Sequence, residues 1–171
     1  MKVYSGQSDA ETQATPDRIK VGIAEYEVTT DGAVLTTSGL GSCIGVAIYD
    51  DSAPAAGLVH VMLPTAEDLE GNPAKFADTG VETLVEALED AGADTEHMTA
   101  KLAGGSDMLD FSESGSGIGK RNVTKVREVL GEYGIPVEGE DVGGDHGRSL
   151  RLKGTSGELV VKSANRDAQT L

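Results

Sequence analysis

Between Ile19 and Ser163 the chain alternates apolar and polar residues in short runs, the period of two expected of strands with a buried face. Such runs fall at residues 21–28, 33–36, 44–49, 57–62, 99–103, 137–142, 149–152 and 159–162, each bounded by Gly, Pro, Asp or Ser. Twice the period lengthens. Val81, Leu84, Val85 and Leu88 repeat at helical spacing within residues 78–91, and Gly92 supplies the stop. Val123, Val126 and Leu130 do the same within residues 120–132, which Gly134 and Pro136 end. Eight strands and two amphipathic helices predict an α/β fold: a layered sandwich with both helices packed on a mixed or largely antiparallel sheet. Residues 1–18 and 164–171 are polar and without periodicity, so they are expected to be N- and C-terminal tails around a single domain at 19–163. A chain of 171 residues can close one core without disulfides or metals to hold it together.

Charge changes this picture in one respect. Asp and Glu number 29 against 14 Lys and Arg, a formal net charge of -15. Nucleic acid is thereby an unsuitable partner, because binding it requires a basic face to neutralise phosphates. Repulsion of this size strains a small domain in dilute buffer, whereas at about 1 M salt the Debye length falls to about 3 Å and the strain is relieved. The balance fits a salt-loaded cytoplasm; the competing reading is a mesophilic protein with well-solvated acidic faces. No apolar run approaches the roughly 18 residues of a membrane span, and no basic-then-apolar signal opens the chain, so the expected location is cytoplasmic without membrane insertion.

The single cysteine, Cys43, can form no internal disulfide and does not make a cysteine metal site. It is either a packing thiol or a working one. It stands in Thr36-Thr37-Ser38-Gly39-Leu40-Gly41-Ser42-Cys43-Ile44-Gly45-Val46, where a glycine-rich turn meets an apolar strand. Glycines there let the chain turn tightly and aim amides at a bound oxygen, so Gly41 and Ser42 are candidates for an oxyanion and substrate loop.

A thiol with a pKa of about 8.5 is mostly protonated at neutral pH and needs a base. His60 is the candidate. Residues 50–54 (Asp-Asp-Ser-Ala-Pro) form a turn between the two strands, so they are expected to make an antiparallel hairpin with Cys43 opposite His60. A slip of one residue would separate the two groups, and the sequence does not fix the register. Each residue alone also reads as structural, Cys43 as a small buried hydrophobe and His60 as a hydrogen-bonded residue between Val59 and Val61. His97 and His146 are expected to have surface roles.

Taken in order, Thr37-Ser38-Gly39-Leu40-Gly41-Ser42-Cys43 and His60-Val61-Met62-Leu63-Pro64 resemble the paired signature of the chemoreceptor glutamine deamidases, the CheD family. The likeness continues through Lys75-Phe76-Ala77-Asp78, Lys101 to Met108, Ile118 to Val123, and Asp141-Val142-Gly143-Gly144 on to Arg148, spanning residues 20–162. With the acidic excess, it points to a family member from a halophilic archaeon. The resemblance implies a protein-glutamine deamidase that converts glutamines of methyl-accepting chemotaxis receptors to glutamate through a Cys thioester. It assigns Cys43 as nucleophile, His60 as base and Thr37 as the third member of the triad, with Thr36 the alternative at that place. It implies chemoreceptors as partners, a CheC-type phosphatase as a further one, and no cofactor or metal. A non-catalytic adaptor that binds receptors or such a phosphatase is the alternative from another class. Phe76 where the family usually has Tyr, Ser106 where it has Ala, and a longer N-terminal segment are departures, none within the triad.

Two glycine motifs mislead. Gly115-Ser116-Gly117-Ile118-Gly119-Lys120 lacks the first glycine of a phosphate-binding loop and has Arg121 where Ser or Thr should bind magnesium. Gly39, Gly41 and Gly45 are spaced one residue too wide for a dinucleotide fingerprint.

Overall fold

A computed structural model describes residues 17–66, 71–107, 117–164 and 166–171. In chain order the elements are β1 (Arg18–Lys20), β2 (Tyr26–Thr29), β3 (Val34–Leu40), β4 (Ile44–Asp50), β5 (Ala55–Val61), α1 (Ala77–Asp90), β6 (Met98–Gly104), α2 (Ile118–Glu132), β7 (Val137–Val142), β8 (Arg148–Lys153), β9 (Leu159–Ser163) and β10 (Gln169–Thr170). They form the α/β sandwich that the patterning predicts, built on two five-stranded sheets in the orders β10-β9-β8-β3-β1 and β2-β5-β4-β6-β7. Only the β1–β3 and β6–β7 pairs are parallel.

Three layers result. The helices cover one face of the second sheet, where Val81, Leu84, Val85 and Leu88 of α1 and Val123, Val126 and Leu130 of α2 meet Ile44, Val46, Ile48, Val59, Val61 and Leu102. The opposite face of that sheet, with Ala47, Ala56, Leu58 and Ala103, packs on Leu35, Leu150, Leu152 and Val161 of the first sheet. Strands β4 and β5 therefore lie in the middle layer and are buried on both faces. This explains why residues 55–61 are all buried, with no polar face of their own.

The expected strand at 21–28 divides in two because the chain changes sheets there. Val21 still donates to Thr36 O of the first sheet (2.7 Å), while Ala24 already donates to His60 O of the second (2.9 Å). At the far end, residues 164–171 were expected to be a tail. Instead Gln169–Thr170 pair with Val161 and Val160, and the Leu171 carbonyl accepts from Lys101 Nζ at 2.8 Å, so the chain end closes the sheet edge. Of the tail expected at residues 1–18, Arg18 instead opens β1 and Asp17 O accepts from Val34 N at 2.7 Å; residues 1–16, Met108 of the family resemblance, and Gly115 and Ser116 of the phosphate-loop motif lie outside the described residues.

Candidate active site

The β4–β5 hairpin sets the site. Asp50 pairs with Ala55, and its carboxylate accepts from Ser52 N (2.8 Å), Ser52 Oγ (2.7 Å) and Ala53 N (3.3 Å), pinning a turn of residues 51–54. The turn centre therefore falls one residue later than expected, and Gly45, not Cys43, stands opposite His60. Cys43 is displaced by two residues, which preserves the face, since side chains alternate with a period of two. It sits diagonally from His60 on the same face, a placement with Cβ atoms roughly 7 Å apart. Gly45 has no side chain to fill the space between them; a Cβ there would come within 2.5 Å of Leu150 Cδ1.

His60 lies between the sheets, fully buried. Across the layer, Thr37 Oγ1 of β3 is 2.7 Å from His60 Nδ1 and donates to Val21 O at 2.8 Å. A hydroxyl has one proton to give. With that proton on Val21, Thr37 accepts from Nδ1–H, which fixes the imidazole tautomer and leaves the lone pair on Nε2. Nε2 is buried with no hydrogen-bond partner among the described residues. Burial lowers the His60 pKa to about 4, so the ring is neutral at pH 7. Of the two threonines named as candidates, Thr37 is the one whose hydroxyl reaches the ring.

Cys43 is half-buried, and burial raises its thiol pKa, an effect its own backbone amide partly offsets. The resting pair is therefore neutral thiol and neutral imidazole. Of the two expected oxyanion donors, the Gly41 amide is already committed to Gly39 O at 3.1 Å. The exposed Ser42 has no backbone acceptor for its N–H among the described residues.

Three neighbours hold the Cys43 loop. Gly105 N donates to Cys43 O (2.8 Å) and Ser106 N to Gly41 O (2.9 Å). The close approach requires glycine at 104, where φ is 117° and a Cβ would stand 2.4 Å from Cys43 O. Ser106 acts through its backbone while its buried hydroxyl has no partner among the described residues, so an alanine could hold the loop equally well. The third neighbour, Asn122 of α2, was not anticipated. Fully buried, it donates from Nδ2 to Ser42 O (2.9 Å) and to Met62 O (3.0 Å), fastening the Cys43 loop to the end of the His60 strand. Its signal in the sequence was an amide on the apolar face of an amphipathic helix. Behind the loop, buried Arg148 pairs with Asp141 at 3.1 Å and donates to Gly143 O at 2.9 Å.

Of the other histidines, His97 is exposed and contacts Ser52 at the opposite end of the hairpin (3.1 Å). His146, also expected at the surface, is partly buried, with both ring nitrogens lacking hydrogen-bond partners among the described residues.

The fold and site define an α/β sandwich with a cysteine, a histidine and a threonine at one end of the layer between its sheets. Comparison with known proteins gives this class its family. A model described as CheD chemotactic sensory transduction matches residues 62–163. A Haloarcula marismortui protein named probable chemoreceptor glutamine deamidase CheD is 66% identical over 173 residues, covering 100% of both chains. The Bacillus subtilis chemoreceptor glutamine deamidase CheD is 40% identical over 158 residues, covering 90% of this chain and 95% of the relative. The chain belongs to the CheD family. A crystal structure of a Neisseria meningitidis DUF152 protein shares the fold, with a TM-score of 0.50, 15% identity, and coverage of 75% of this chain and 63% of that one.

Proposed function

We propose that this chain is a cytoplasmic protein-glutamine deamidase acting on chemoreceptors, with Cys43 as nucleophile, His60 as general base and Thr37 as the residue that orients the imidazole. The observation that carries the reading is the Thr37–His60 hydrogen bond, which leaves the unprotonated Nε2 free on the face that Cys43 shares. His60 Nε2 takes the thiol proton as Cys43 Sγ bonds to the side-chain carbonyl carbon of a glutamine. The C–N bond then breaks, and Nε2 returns the proton to the departing ammonia. Water attacks the thioester as His60 takes a proton from it, the C–S bond breaks, and His60 returns that proton to the leaving sulfur, giving glutamate and the free thiol. Charge on the tetrahedral oxygen is met by the Ser42 amide.

The fixed tautomer favours catalysis over the adaptor reading. A buried imidazole nitrogen without a partner costs about 1–3 kcal/mol, and an adaptor gains nothing from that cost. Relatives named for glutamine deamidation of chemoreceptors support the substrate class. No helix among the described residues is long and apolar enough to cross a membrane, which accords with action on the receptors' cytoplasmic part.

The test is mass spectrometry of receptor cytoplasmic fragments incubated with the wild-type chain and with Cys43→Ala. Amide-to-acid conversion by the wild type alone is expected; equal conversion by both eliminates Cys43 as nucleophile.

A further inference from the structure

The first sheet has an outer face that neither the core nor the helices use. Alternation along its strands turns Leu35, Leu150 and Val161 inward to the core and leaves a groove of about 460 Å³ outside. Arg18, Lys20, Arg151 and Lys162 line it, with Thr36 and Ser38 between them. The register builds the row: Lys20 lies opposite Thr36, Thr36 opposite Arg151, and Lys162 opposite Ser149.

Two features set this face apart. All four cations are exposed, and among the described residues none is in an ion pair; Lys120 and Arg121 are also unpaired, but Glu128 lines the hollow they share, and Lys125, Arg127, Arg148 and Lys153 each face a carboxylate. In a chain with 29 acidic and 14 basic residues, no carboxylate among the described residues lines this groove. The groove lies along the chain that enters the candidate site. Strand β3 runs from its floor at Thr36 and Ser38 through Gly39 to Leu40, the chain continues through Gly41 to Cys43, and a second hollow sharing Ser149 and Lys162 extends to Gly39 and Gly147.

We propose that this sheet face docks an acidic segment of the protein substrate, a stretch bearing several carboxylates beside the reactive glutamine. The inference rests on the deamidase reading and adds what that site recognises. A net charge of -15 repels such a segment from the molecule as a whole, and this groove offers it four cations with no ion-pair partner among the described residues. In concentrated salt, screening leaves direct Lys and Arg contacts with carboxylates as the operative attraction. Nucleic acid fits less well: with one charge per ~1.7 Å of duplex it would run past four cations onto acidic surface.

The test uses the full chain carrying Lys20→Glu and Lys162→Glu, both exposed positions outside the catalytic set. Binding of a labelled glutamate-rich helical peptide containing glutamine is followed by fluorescence anisotropy in the Cys43→Ala background, which needs no turnover. Weakening by about tenfold is expected on charge reversal, with a smaller loss for Lys20→Gln and Lys162→Gln and none for a peptide whose glutamates are replaced by serine. Turnover of the acidic peptide by the active chain should show the same loss in KM with kcat retained. Unchanged binding, or equal loss for both peptides, overturns the proposal, as does tighter binding of a single-stranded oligonucleotide than of the peptide. Charge-sensitive binding without turnover by the wild type would refute the deamidase reading alone; turnover indifferent to charge reversal would refute the docking surface alone.

Discussion

The two faces of the middle sheet are equally buried and chemically opposite. Toward the helices, Val59 and Val61 of β5 join the apolar cluster that both helices complete. Toward the other sheet, the same strand presents Leu58 and then His60, whose ring finds Thr37 across the layer. The difference shows where a buried polar group can be supported. An amphipathic helix presents an apolar stripe with its backbone groups already satisfied, whereas a facing strand can supply a hydroxyl, itself anchored on a backbone carbonyl, at the right height. Asn122 is the exception on the helix side, and it serves the loop by meeting backbone carbonyls at the end of the sheet.

The contrast can be broken from either side. The largest effect is expected from Leu84→Ala on the apolar face, because Leu84 rests on Gly57, which has no side chain to fill the space it leaves. A loss of about 3–5 kcal/mol in denaturant unfolding is expected, with kcat unchanged in the remaining folded protein. On the polar face, His60 ties stability to pH. Unfolded, it takes a proton near pH 6.5, but folded only near about 4, so the unfolded chain is protonated first and stability falls as pH drops through that interval. The full contribution is about 3 kcal/mol, and His60→Gln should remove that part of the difference between pH 7 and pH 4 unfolding curves. The same value places the acid limb of kcat/KM near pH 4; a limb near 6.5 would contradict a buried neutral base. The smallest effect belongs to Thr37→Val. It leaves the Nδ1 proton without an acceptor and frees the ring to turn, so kcat should fall about 10–100-fold with KM unchanged. Thr37→Ser should recover most of that rate.

Both helices were legible because their apolar stripes repeat over about two turns, and most strands were legible from alternation and their boundary residues. The strand expected at 21–28 misled because a change of sheet midway leaves the apolar pattern intact. Residues 164–171 looked like a tail because pairing at a sheet edge satisfies backbone groups and asks little of the side chains. At the site, Cys43 and His60 could be assigned to one face because parity survives a two-residue slip. The hairpin register could not, since it depends on how the Asp50 carboxylate grips the turn.

By itself the sequence determined both helices and most of the strands, the acidic balance, and the thiol and imidazole lying at one end of a hairpin. The family resemblance added Thr37 as a candidate beside Thr36. Only the tertiary structure decided which threonine meets the ring, which nitrogen keeps its lone pair, that Asn122 fastens the nucleophile loop, and that four scattered cations share one groove. The reason is physical. Periodicity records which way each side chain points within its own element, whereas a hydrogen bond across layers or a charge cluster over several strands depends on how those elements are set against one another.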